Sequence, residues 1–78
     1  MAKGINAEVI IDYTNWKGER RNRRIIPHYP IYTRLPPYYP DRQWLLFALD
    51  VEKGEMRHFS FQRIHSWTET ASAQDAAI

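Results

Sequence analysis

Cysteine is absent from this 78-residue chain, so neither a disulfide framework nor a cysteine-based zinc site can stabilise it. Glycine is scarce. Gly4, Gly18 and Gly54 stand alone, which excludes a glycine-rich loop of the kind that cradles phosphates. Long apolar runs are missing as well: the longest, residues 44–49, falls far short of the roughly 20 residues that a membrane-crossing helix needs. Met1-Ala2-Lys3-Gly4 has no apolar stretch behind it that would make a leader. A soluble, cytoplasmic protein with no membrane partner is expected. No internal repeat and no sustained helical periodicity is visible. With 78 residues there is room for one domain, and a domain of this size buries only about 60% of the surface its unfolded chain exposes. Lacking the usual staples, such a core must lean on aromatic packing or on a partner surface.

What the chain does have is arginine, which supplies eight of its eleven basic residues. Arg20-Arg21-Asn22-Arg23-Arg24 follows the turn signal Asn15-Trp16-Lys17-Gly18 and precedes the apolar pair Ile25-Ile26. In an extended strand Arg21 and Arg23 share one face, and Arg20 and Arg24 share the other. Arginine offers a planar fork for phosphate or carboxylate, so the run points to an anionic partner. The competing reading is a solvated edge strand, kept charged so that it does not pair with other chains. The formal charge is only +2, yet its clustering can raise the potential at one patch. That balance argues against a protein that coats long duplexes.

Residues 7–13 place Val9, Ile11 and Tyr13 on one side and Glu8 and Asp12 on the other, which predicts a strand. The turn at residues 15–19 and the returning arginine strand to Ile26 complete a hairpin. Pro27, without an amide hydrogen, must end regular pairing or lie on an edge. All five prolines fall within residues 27–40, together with Tyr29, Tyr32, Tyr38 and Tyr39. This segment is expected to be the least regular part of the chain, a polyproline-type stretch or a loop laid over one end of the core. Its tyrosines either cover a core too small to shield itself or form a contact surface. Residues 42–51 are apolar on both faces in their middle, as in a core strand with material on each side. Glu52-Lys53-Gly54-Glu55 reads as a tight turn, with Gly54 where a positive φ is needed. A strand over residues 56–61 follows, with Phe59 and Phe61 inward and His58 and Ser60 outward. Gln62-Arg63-Ile64-His65-Ser66-Trp67 suggests a helical turn and a brief closing strand. Tyr13, Trp44, Leu46, Phe59, Ile64 and Trp67 are the predicted core anchors. The division is a lead over 1–6, one domain over 7–68 and a flexible, disordered tail over 69–78. Mostly β structure, a small barrel or strongly twisted sheet of about five strands, is the predicted fold.

Catalytic chemistry finds little support. His28, His58 and His65 lack the spacing of a metal site, so no metal and no cofactor is expected. Ser60 and Ser66 lie near histidines in sequence, but nothing marks a nucleophile elbow. A non-enzymatic role follows.

Taken in order, Ile11-Asp12-Tyr13, Gly18-Glu19, Arg23-Arg24-Ile25-Ile26-Pro27-His28, Gln43-Trp44-Leu45-Leu46, Gly54-Glu55-Met56-Arg57-His58-Phe59 and Arg63-Ile64 resemble the WYL domain family from about residue 7 to residue 67. The resemblance implies an Sm-like or SH3-like β-barrel. It also implies a ligand-sensing module, of the kind that follows a winged helix-turn-helix in bacterial transcription regulators. This chain has no such DNA-binding helices. On the same basis Arg23, Arg57 and Arg63 sit where the family keeps basic residues for an anionic ligand; Arg21 is a further candidate ligand residue. The name-giving tripeptide reads Trp44-Leu45-Leu46, so the aromatic at its middle position is replaced. The leading functional expectation is binding of a short single-stranded nucleic acid or nucleotide. The alternative is a protein-interaction or homodimerisation module built on Tyr29, Tyr32, Tyr38 and Tyr39.

Overall fold

The computed structural model describes residues 7–69, which form one five-stranded antiparallel sheet. Strand β1 is Val9–Thr14, β2 Arg20–Leu35, β3 Tyr39–Asp50, β4 Glu55–Ser60 and β5 Ile64–Glu69, with a single 3₁₀ turn, Phe61–Arg63, between the last two. Spatial order is β4-β3-β2-β1-β5. The lead over residues 1–6 and residues 70–78 of the expected tail lie outside the described residues. Glu69, the first residue of that tail, pairs with Val9 as the last residue of β5.

Turn chemistry sets the two predicted hairpins. The Asn15 side-chain oxygen accepts from the Lys17 and Glu19 amides at 2.9 Å each, and Gly18 adopts φ +88°. An asparagine that bonds its own following backbone, with glycine in the left-handed region, closes the β1–β2 connection. At the other turn the Gly54 amide donates to the Asp50 carbonyl at 2.7 Å, with φ +67°.

The sheet is curled. Tyr13 of β1 and Phe59 of β4 meet edge to face with ring centroids 5.0 Å apart, although β2 and β3 lie between their strands. At about 4.8 Å per strand a flat sheet would hold β1 and β4 about 14 Å apart, so the sheet must wrap around its core. The result is barrel-like without being closed: among the described residues no ladder joins the edge strands β4 and β5. The wrapped face buries Val9, Ile11, Tyr13, Ile25, Leu46, Ala48 and Phe59, and Ile64 packs against them. Each fully buried aliphatic side chain contributes about 1.5–3 kcal/mol of transfer free energy.

Four expectations are corrected. First, the proline-rich segment is strand rather than loop, although its register with β3 breaks after Pro27 and after Thr33: β2 runs through Pro27 and Pro30, and only residues 36–38 turn. The prolines are tolerated because β1 pairs with β2 only from Arg20 to Ile25. Beyond that point β2 has one hydrogen-bonded neighbour, β3, so a missing amide hydrogen on the other side costs nothing. Residues 32–44, beyond the last pairing of β3 with β4 at Leu45, thereby form a two-stranded arm. Second, Trp44 is no core anchor; it is 54% exposed. Leu46, Ala48 and Asp50 are buried, which places Trp44 at the same alternation, but the covered side changes at the adjacent buried pair Leu45 and Leu46. Above it the covered or half-covered positions are Gln43 and Tyr39, and Trp44 faces out. Third, Trp67 lies opposite Ile11 yet remains 42% exposed, because β5 is an edge strand with a neighbour on one side only. Fourth, at the end of β4 Ser60 is fully buried while Phe61, already in the 3₁₀ turn, is exposed.

Candidate functional site

The arginine run is largely neutralised within the molecule. On one face Arg20 forks onto Asp12, with Nε to Oδ1 at 3.0 Å and Nη2 to Oδ2 at 2.9 Å. Arg24 forks onto Glu8 in the same way, at 2.9 and 3.4 Å. Antiparallel pairing of β1 with β2 sets the outward acids of one strand beside the outward arginines of the other. The hydrogen bond from Arg20 holds the Asp12 carboxyl below its ordinary range, against a smaller opposing push from burial.

On the other face Arg23 is only 8% exposed. Its Nη1 lies 3.4 Å from Asp50 Oδ2, and the Arg57 Nε lies 3.6 Å from the same oxygen. Asp50 is 1% exposed, and its other oxygen accepts the Lys53 amide at 3.3 Å. Arg57 also donates to Glu55 at 3.3 Å. These contacts are long for charge-assisted bonds, and the buried Arg23 Nε has no partner. Arg63 is elsewhere, donating to the Asn15 carbonyl at 3.2 Å. Arg21 is exposed beside Tyr13 in the register. Of the four predicted ligand arginines, the structure therefore gathers Arg23 and Arg57 on one carboxylate and leaves Arg63 and Arg21 outside that cluster. Asp50 was not singled out by sequence reasoning. Its signal was an acid at the inward alternation after Leu46 and Ala48.

Arg57 also lines a cleft of about 600 Å³. The tip of the first hairpin supplies Trp16 and Lys17, the arm tip supplies Leu35, Pro36, Tyr38 and Tyr39, and β4 supplies Glu55 to His58. Trp16 and Tyr38 meet edge to face at 5.0 Å, and the Lys17 ammonium sits 5.6 Å over the Trp16 ring. Both rings keep about half their surface in solvent. Tyr39 departs from the predicted aromatic surface: it is 7% exposed, and its hydroxyl bonds that of Tyr13. The Tyr13 oxygen accepts the Ser60 amide at 2.8 Å. Burial drives the Tyr13 hydroxyl well above its ordinary pKa, so it stays a neutral hydroxyl. This buried pair anchors the arm tip to the core and fixes one wall of the cleft. Tyr29, Tyr32 and Tyr38 are exposed as the contact-surface reading requires.

Among the described residues no group of three or more His, Cys, Asp or Glu could hold a metal ion, and no helix is long and apolar enough to cross a membrane. Compared with known proteins, the chain matches neither any protein-family model nor any curated protein.

Proposed function

We propose that the domain is a non-enzymatic binding module whose cleft takes an anionic ligand carrying a planar ring, a nucleotide or the end of a short nucleic-acid single strand. One observation carries the reading: two cations, Lys17 and Arg57, line the same cleft as two half-exposed rings, Trp16 and Tyr38. A volume of about 600 Å³ falls in the range of small-molecule sites. Arg57 is partly held by Asp50 and Glu55 at distances long enough for a phosphate to compete, and Arg23 supports it from behind through the shared Asp50. The ligand-sensing role implied by the WYL resemblance, in transcription regulation within a bacterial cytoplasm, belongs to the same proposal.

The test is titration with nucleoside monophosphates at low salt, read by amide chemical shifts. Shifts are expected at residues 16–17, 36–39 and 55–58, and Arg57→Gln and Tyr38→Ala should each weaken binding about tenfold. Absence of any shift at millimolar monophosphate would overturn the reading. A second reading, a protein-interaction face or homodimer, is favoured by the row Tyr29, Phe47 and His58 across β2, β3 and β4, whose rings lie 5.2 and 4.8 Å apart. Sedimentation velocity over a concentration series separates it: self-association abolished by Tyr29→Ser would support it, and a monomer at all concentrations would remove the homodimer.

A further inference from the structure

The arm carries chemistry that neither the cleft nor the core uses. Exposed positions on it or at its base include Pro30, Tyr32 and Arg34 in β2 and Pro40, Arg42 and Trp44 in β3, while Ile31, Thr33 and Gln43 are partly covered. Tyr32 and Trp44 are register partners, each 54% exposed, with rings edge to face at 5.4 Å. Among the described residues the guanidinium groups of Arg34 and Arg42 make no ion pair and no hydrogen bond. Asp41 is the sole acid in residues 27–49; it lies in the irregular stretch of β3 facing Arg34, and its carboxylate pairs with neither arginine. The two-stranded arm thus presents two large half-exposed rings and two arginines that no carboxylate neutralises.

We infer that the arm is a stacking platform for single-stranded nucleic acid, with bases lying against Trp44 and Tyr32 and phosphates held by Arg34 and Arg42. Charge complementarity selects a polyanion, since no carboxylate pairs with either guanidinium group. Exposed rings select a polyanion that carries planar bases, because every base has a face to stack and sequence matters little. A duplex hides those faces and is a poor fit. The platform shares no residue with the cleft, so it stands or falls separately from the function proposed above.

The experiment is fluorescence anisotropy of a labelled mixed-sequence DNA single strand of about ten nucleotides, a length within the site sizes of such proteins. Full-length protein is titrated at several salt concentrations. Trp44→Ala should weaken binding about tenfold or more, and Trp44→Phe should restore most of it, because a planar ring rather than the indole itself is required. The double change Arg34→Gln and Arg42→Gln should lower the salt slope by about 1.4, two single-strand phosphate contacts. Trp44 is half exposed, so a cooperative melting transition shifted by only a few degrees is expected, which confirms that lost binding is not lost folding. Arg57→Gln and Tyr38→Ala should weaken monophosphate binding about tenfold, as above, while lowering oligonucleotide affinity less than Trp44→Ala does. Oligonucleotide binding unaffected by Trp44→Ala, binding no tighter than that of inorganic polyphosphate of equal charge, or binding lost only with Arg57→Gln would each overturn the inference. So would self-association that depends on Trp44 in the absence of any oligonucleotide binding.

Discussion

β2 is one continuous strand, yet its two halves live under opposite rules. In the first half, Arg20 to Ile25, β1 lies alongside and every arginine but Arg21 is answered by a carboxylate: Asp12, Asp50 or Glu8. In the second half β3 lies alongside instead, and Arg34 of β2, like Arg42 of β3, is answered by none among the described residues. The densest charge in the sequence is therefore largely spent, Arg21 excepted, whereas both isolated arginines of the arm stay available. Aromatics divide the same way. Tyr13 and Phe59 are spent in the core, whereas Tyr32 and Trp44 are left in solvent. Density of a residue type measures supply; pairing decides what is left for a partner.

Substitution can break or sharpen this contrast. The largest effect is expected at Phe59→Ala, which empties the center of the core and should cost about 3–5 kcal/mol by denaturant unfolding. Trp44→Ala, of similar size in the sequence, should cost under about 1 kcal/mol, because it removes only a cross-strand ring contact. Equal losses at both positions would erase the division between base and arm. Next comes Asp50→Asn, which strands the buried Arg23 charge and should cost about 3 kcal/mol. Replacing both partners with apolar residues, Arg23→Met with Asp50→Leu, should recover most of that loss in the same assay. Failure to recover would mean that Asp50 acts through its turn bond to Lys53.

Tyr13→Phe comes third, at about 2 kcal/mol, since the Ser60 amide and the Tyr39 hydroxyl both lose a buried partner. Its readout in the arm is loosening of the tip, seen as faster amide exchange at residues 35–39. The smallest effect concerns pH. Burial holds His58 below its ordinary pKa of 6.5, so between the folded and unfolded values the unfolded chain binds more protons. This contribution is fully present above the unfolded value and is lost as pH falls through the window below it. His58→Gln should flatten the stability profile there, and an unchanged slope would show that the imidazole is solvated in the folded state.

Much of the local structure was legible. Alternation in residues 7–13, the asparagine turn and the glycine at 54 all depend on contacts between near neighbours, which is why they could be read directly. Arg24 with Glu8 and Arg23 with Asp50 were harder, being separated by 16 and 27 residues. Whether they meet depends on strand register. The cleft needed three separate segments to converge, and only Arg57, Tyr38 and Tyr39 among its residues had been marked.

By itself the sequence determined that this is a β protein with tight hairpins and a small cysteine-free core, because period-two patterning and turn residues act through the backbone within a few positions. Only the tertiary structure decided the availability of each side chain. Burial is a property of both sides of a strand, and where the covered side changes at Leu45 and Leu46, alternation alone sends Trp44 to the wrong place. Charge follows the same logic: an arginine is free or neutralised according to which distant carboxylate the curl of the sheet brings within reach.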